Sequence, residues 1–290
     1  MHITRAQFDR ILEDQIGIRL PGRPDQSIYE VSAIQNFRIG SKKREAGSGR
    51  ILRYAYTVLG VPAIGRLKVN SNYQPEVPGH LNEDGFMGNI VIAGAVRTVP
   101  IPAGQTWLDI ADTAIRPINW YQGGHIVVFD DVTPYFHQNY IVASELGTGT
   151  FVRLWLDYPI AAAIPVNNAG GNPVGITALR SPYSAVEAPG AVSQVGFETF
   201  VGLPLVPVAA ARYFWLLTAG PCWVTPTGAT WPGSAANLRD VYANPADGTI
   251  NPSSVQDPSN GFQKVGFLLN ATGGTTSDYG DAYIMLQLDQ

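Results

Sequence analysis

Glycine and proline interrupt this chain so often that a long helix has nowhere to run. Its 290 residues include 31 Gly and 22 Pro; glycine loosens a helical backbone, and proline removes one of its hydrogen bonds. Between these interruptions the residues are β-branched and aromatic. Residues 123–225 show the pattern best: GGHIVVFDD, QNYIVAS, FVRLWLDYPI, the link ALRSPYSAV, and RYFWLLTAGPCWVTP. Short runs of this composition bounded by turn residues predict strands. The expected fold is therefore mainly β, a jelly-roll or β-sandwich body carrying an extended N-terminal arm with one short helix.

That helix is expected over residues 4–16. Thr4, Arg5, Ala6 and Gln7 fit a capping box, Phe8, Ile11, Leu12 and Ile16 recur at helical spacing, and Gly17 ends the stripe. A helix so short must dock its apolar side on something else. Further on, residues 38–50 (RIGSKKREAGSGR) read as a basic, flexible loop. Residues 1–68 hold 12 Lys/Arg against 6 Asp/Glu, whereas residues 69–290 hold 7 against 17. A basic arm on an acidic body suits docking between copies or partners, and Phe8, Ile11, Leu12, Arg38, Lys42, Lys43, Arg44 and Arg50 are the candidate contact residues. The basic run is short and has no aromatic residue for base stacking, which argues against nucleic acid. Three segments are expected: an arm over 1–53, a β region over 54–119, and a β body over 120–290.

Within the body, residues 151–156 alternate Val152, Leu154 and Leu156 against Phe151, Arg153 and Trp155. Apolar residues on both faces predict burial on both sides, or one face kept for a partner. Residues 213–218 read as the clearest strand, with Ala219, Gly220 and Pro221 as a turn and residues 222–224 as the returning strand.

Catalytic chemistry finds little purchase. The four histidines are His2, His80, His125 and His137, and the grouping of His125, Asp130, Asp131 and His137 matches no metal-ligand spacing. Ser48 lies in no nucleophile elbow. The single cysteine, Cys222, excludes an internal disulfide and reads as a small buried hydrophobe. Phosphate-binding loops are missing, and no cofactor or metal is expected. Residues 4–15 are too polar for a signal peptide, and no apolar run reaches the ~18 residues of a membrane span. Six Trp and thirteen Tyr raise the thought of a sugar platform, but runs as apolar as YFWLL assign Trp155, Trp215 and Trp223 to the core.

The succession GGHIVVFDD, YIVAS, LDYPIAAAI, SPYSAV, VGFETFVGLP and YFWLLTAGPCWV resembles a group of virion structural proteins of tailed bacteriophages, over about residues 120–245. The resemblance implies a non-enzymatic protein on the capsid exterior, assembled in the host cytoplasm. Its implied role is head decoration or cement, with the major capsid protein and copies of itself, as a homotrimer, for partners. A tail or baseplate component and a carbohydrate-binding fibre domain are the alternatives.

Overall fold

The computed structural model describes residues 20–57, 68–70, 100–112, 115–130, 135–166, 175–184, 186–187, 199–226, 239–244, 248–252, 263–269 and 283–289. The helix expected over 4–16 lies outside them. Fifteen strands follow in order: β1 (Lys42–Arg44), β2 (Ile51–Thr57), β3 (Lys68–Asn70), β4 (Trp107–Ala111), β5 (His125–Asp130), β6 (Tyr135–Ser144), β7 (Phe151–Leu156), β8 (Gly175–Leu179), β9 (Val186–Glu187), β10 (Thr199–Pro204), β11 (Arg212–Trp223), β12 (Asp240–Ala243), β13 (Ile250–Pro252), β14 (Lys264–Leu268) and β15 (Tyr283–Gln287). Among the described residues there is no helix, and the strands form two antiparallel sheets. The protein is mainly β, as its punctuation predicts.

The chain groups into two compact units, one made of Met1–Ser71 with Tyr183–Gln290, the other of Asn72–Pro182. The sequence boundaries after residues 53 and 119 fall elsewhere, because strand partners are drawn from distant parts of the chain. The ten-stranded sheet of the first unit runs β13-β12-β14-β15-β11-β10-β3-β9, with β2 joining β11 and β1 joining β2. The five-stranded sheet of the second runs β4-β7-β6-β5-β8.

Strand β11 organises the first unit. It does not turn at Ala219-Gly220-Pro221, as the sequence suggests, but continues as one twelve-residue strand. Leu217 pairs with Leu52 of β2 on one edge and Leu203 of β10 on the other, and Ala219 pairs with Ile51 and with Gln287 of β15. One edge of β11 thus serves β2, while the other passes from β10 to β15. Such a change of partner needs a local bend. It is provided by a register shift between Leu217 and Ala219 and by Gly220, whose φ is 111°. A side chain at Gly220 would also meet the Arg50 Cα at 2.8 Å. The Gly-Pro pair that resembles a hairpin signal is here a bend within a strand.

Both faces of β11 are buried. Trp215, Leu217 and Cys222 enter a core with Phe37, Leu52, Tyr54, Val265 and Ile284, while Phe214 and Leu216 enter another with Ala55, Val186, Val201 and Val208. In the first of these, Phe37 meets the Trp215 ring edge-on at 4.9 Å and Tyr54 meets it at 5.1 Å. Edge contacts of this kind add about 0.5–1.5 kcal/mol each to the burial itself.

Residues 20–53 are therefore part of this fold, not an arm standing apart from it. The buried Gln26 accepts hydrogen bonds from Tyr54 Oη (2.7 Å) and Asn36 Nδ2 (3.0 Å) at its side-chain oxygen, and its carbonyl accepts one from Trp215 Nε1 (3.2 Å). The basic stretch read as a flexible loop forms the hairpin of β1 and β2, with Lys43 opposite Leu52 and Arg44 opposite Ile51.

In the second unit, alternation sorts the two faces of the sheet. Leu108, Ile110, Ile126, Val128, Ile141, Val152 and Leu154 are fully buried on one side. The opposite face carries the intervening residues of β4 and β7.

A chain beginning at residue 50 should lose the folded state of the first unit, because Gln26, Phe37 and β1 leave with the deleted segment; near-ultraviolet dichroism of Trp215 reports it. Gly220→Ala should cost about 1–3 kcal/mol, from the positive φ and the approach of Arg50, measured as a lowered denaturant midpoint.

Candidate functional site

The candidate contact residues divide sharply. Phe8, Ile11 and Leu12 lie outside the described residues. Lys42 Nζ is 3.9 Å from Asp289, which is also gripped by Arg53 through bonds of 2.7 and 2.9 Å. Lys43 Nζ reaches the Gln26 carbonyl at 3.3 Å and lies 5.2 Å from the centre of the Trp215 ring. Arg50 holds Glu45 with both arms of its guanidinium and donates to Tyr29 Oη at 3.2 Å. These three cations stabilise the hairpin and its surroundings. Arg44 is exposed and Arg38 partly so. A basic stretch met in sequence offers no sign of which acidic residues will fold back on it, and Asp289 comes from the other end of the chain.

Desolvation works to raise the Asp289 carboxyl, but hydrogen bonds from Arg53 and the charges of Arg53 and Lys42 outweigh it and hold the group below its ordinary range. Burial pushes the Cys222 thiol up to about 12, which suits the hydrophobe read from sequence and not a nucleophile. His125 sits half-buried with its ring 5.5 Å from Tyr140, and burial lowers its pKa. Asp131 and the side chains of Asp130 and His137 lie outside the described residues. Among the described residues, no three His, Cys, Asp or Glu side chains gather as metal ligands would.

The surface that stands out belongs to the second unit. Ile115, Ile118 and Leu146 are 78, 67 and 58 % exposed. They sit on two loops tied together where Gly147 N donates to the Arg116 carbonyl at 2.8 Å. A Cβ at Gly147 would meet Arg116 N at 2.7 Å, so the close approach of the loops needs a glycine. Beneath them, buried Asp112 accepts hydrogen bonds from Tyr121 Oη and Arg116 Nε, both 2.8 Å. Burial, then the bond to Asp112, raises the Tyr121 phenol. Two guanidinium groups lie over the Trp120 ring, Arg180 at 3.7 Å and Arg116 at 5.2 Å from its centre. Asn119 N donates to the Ser144 carbonyl at 2.8 Å, and Asn119 itself takes a φ of 64°. Three aliphatic side chains are thereby held out in solvent on a braced scaffold. The sequence signal for them, isolated apolar residues around Pro117 and before Gly147, was too slight to single out.

Of the three tryptophans assigned to the core, Trp215 is wholly buried, Trp223 is half-buried, and Trp155 is 38 % exposed. Trp155 is the correction: β7 buries Val152, Leu154 and Leu156 and leaves Phe151 and Trp155 outward. Of the two outcomes foreseen for that strand, one face is left open. Comparison with known proteins finds no matching family model, no matching curated protein and no matching solved structure.

Because the Asp289 carboxyl titrates lower in the folded chain than in the unfolded one, its contribution is present above the ordinary carboxylate range and is lost as pH falls from that range through the lower folded value. Asp289→Asn should cost about 1–3 kcal/mol at neutral pH. The gap from the parent chain should close as pH drops below about 4, followed by urea unfolding across that range.

Proposed function

We propose that this chain is a non-enzymatic structural protein of a tailed-phage virion, a head decoration or cement protein that binds the major capsid protein and copies of itself. Two lines support the reading. The succession of motifs over residues 120–245 resembles virion structural proteins, and the exposed trio of Ile115, Ile118 and Leu146 is the observation that carries the role. Large aliphatic side chains exposed on adjoining loops offer apolar area for a contact surface. Here they are mounted on loops already held by Asp112, Tyr121 and Asn119, so docking costs little ordering.

The finer architecture belongs to the same proposal: the β units as jelly-roll or sandwich elements, and a homotrimer on the capsid exterior. The joining role passes from the basic stretch to the second unit, since Lys42, Lys43 and Arg50 serve the fold around them. Modest contacts repeated over a shell would act together through multivalency. A tail or baseplate position would use the same contact chemistry, and a cryo-electron microscopy map of the parent particle distinguishes the two.

The purified chain should bind expanded capsids of its own virion that lack it. Ile118→Asp and Leu146→Asp should each weaken that binding about tenfold or more, since burying one such side chain contributes about 1.5–3 kcal/mol. A stable monomer that ignores such capsids would overturn the proposal.

A further inference from the structure

The outward face of β4 and β7 is a different surface with a different chemistry. Register places Trp107 opposite Trp155, Asp109 opposite Arg153 and Ala111 opposite Phe151. Opposed residues share a face, so Trp107, Asp109, Phe151, Arg153 and Trp155 lie together on the side of the sheet away from the buried Leu108, Ile110, Val152 and Leu154. Phe151 and Trp155 are each 38 % exposed. Between them Arg153 donates to both Asp109 oxygens, at 2.8 and 2.9 Å, and its guanidinium lies 4.0 Å from the centre of the Trp107 ring. Along this face runs a strip in which two partly exposed aromatic side chains flank one bidentate ion pair.

We propose that this strip binds a neutral oligosaccharide. A pyranose ring has an apolar face of C–H groups and a rim of hydroxyls that both donate and accept. Its complement is a flat ring beside planar polar groups, and Trp155 and Phe151 supply the first. Arg153 and Asp109 supply the second: Arg153 carries five N–H groups, of which two are given to Asp109. The others can donate to sugar hydroxyls, while the carboxylate still has lone pairs to accept from them. The charge balance selects the ligand, because Arg153 is already neutralised by Asp109 and the strip offers an acidic sugar no unmatched cation. Length selects it too, since residues four apart along a strand are about 13 Å apart, room for two to three linked sugars. The orientation of the platform is settled before any ligand arrives, because the Asp109 pair and the Trp107 stack hold Arg153 in place.

This site does not depend on the capsid reading. The test is titration of the full chain with malto-, cello- and chitohexaose and with oligogalacturonate of equal length, followed by tryptophan fluorescence and by ligand-observed NMR. At least one neutral hexasaccharide should bind with a millimolar or lower dissociation constant, more tightly than its disaccharide, and the acidic oligomer should not bind. Trp155→Ala and Phe151→Ala should each weaken binding about tenfold, with circular dichroism and unfolding midpoints showing that both variants fold, while Ile118→Asp leaves binding unchanged. Absence of binding by all three neutral oligomers, equal binding of the acidic one, or unchanged binding by folded Trp155→Ala would overturn the proposal. So would a fall in the sedimentation coefficient caused by Trp155→Ala, which would make the strip a contact between copies.

Discussion

The first unit rests on one strand that buries both of its faces. Strand β11 packs Trp215 against Phe37 and Tyr54 on one side and puts Phe214 and Leu216 into a separate apolar core on the other. A strand in that position has no solvent face to absorb a slip, and a shift of one residue would exchange its two sets of neighbours. It also takes three strand partners, β2, β10 and β15. The bend at Gly220 lets these constraints coexist, and the segment from Gln26 to β2 closes over the result. The hydrogen bonds at Gln26 join that segment to Tyr54 and Trp215, so residues expected to form part of an arm hold a fully buried tryptophan in place.

The second unit follows the opposite plan. Its sheet buries one face only, and a group of polar contacts around Asp112 lies beneath a pair of loops. Asp112 would be costly to bury alone; hydrogen bonds from Tyr121 and Arg116 compensate it. That compensation fixes the loop between β4 and β5 and holds Ile115 and Ile118 in solvent. A cation stacked on Trp107 does the same on the sheet itself for Arg153. Among the described residues of this unit, electrostatics fixes the positions of side chains at the surface.

Several elements were legible in sequence. Strand β7 matches its expected range, and an open face was one of the two outcomes its alternation left; β5 lies where the run GGHIVVFDD places it. Others were not. Strands β4 (WLDIA) and β8 (GITAL) mix apolar with small or polar residues beside Gly- and Pro-rich segments, so neither stands out from the loops around it. The Ala-Gly-Pro of β11 has the composition of a turn, and composition does not reveal that β2 and β15 wait on either edge. Trp155 was placed inside because large aromatics usually are, although its own strand alternates in a way that puts it opposite Val152 and Leu154. The exposed aliphatic trio was missed because single apolar residues in loops carry no period.

Alone, the sequence determined the β character of this protein and the alternation within its clearest strands, since both follow from local sterics, turn residues and the period of two. Tertiary structure decided which strands meet, whether Gly220 bends or reverses the chain, and where the charges of the basic stretch are spent. It also decided which apolar side chains stay in water. Those outcomes depend on partners far away along the chain, Arg53 with Asp289 and Tyr54 with Trp215, and the cost of leaving a residue exposed is set by the neighbours it would otherwise displace.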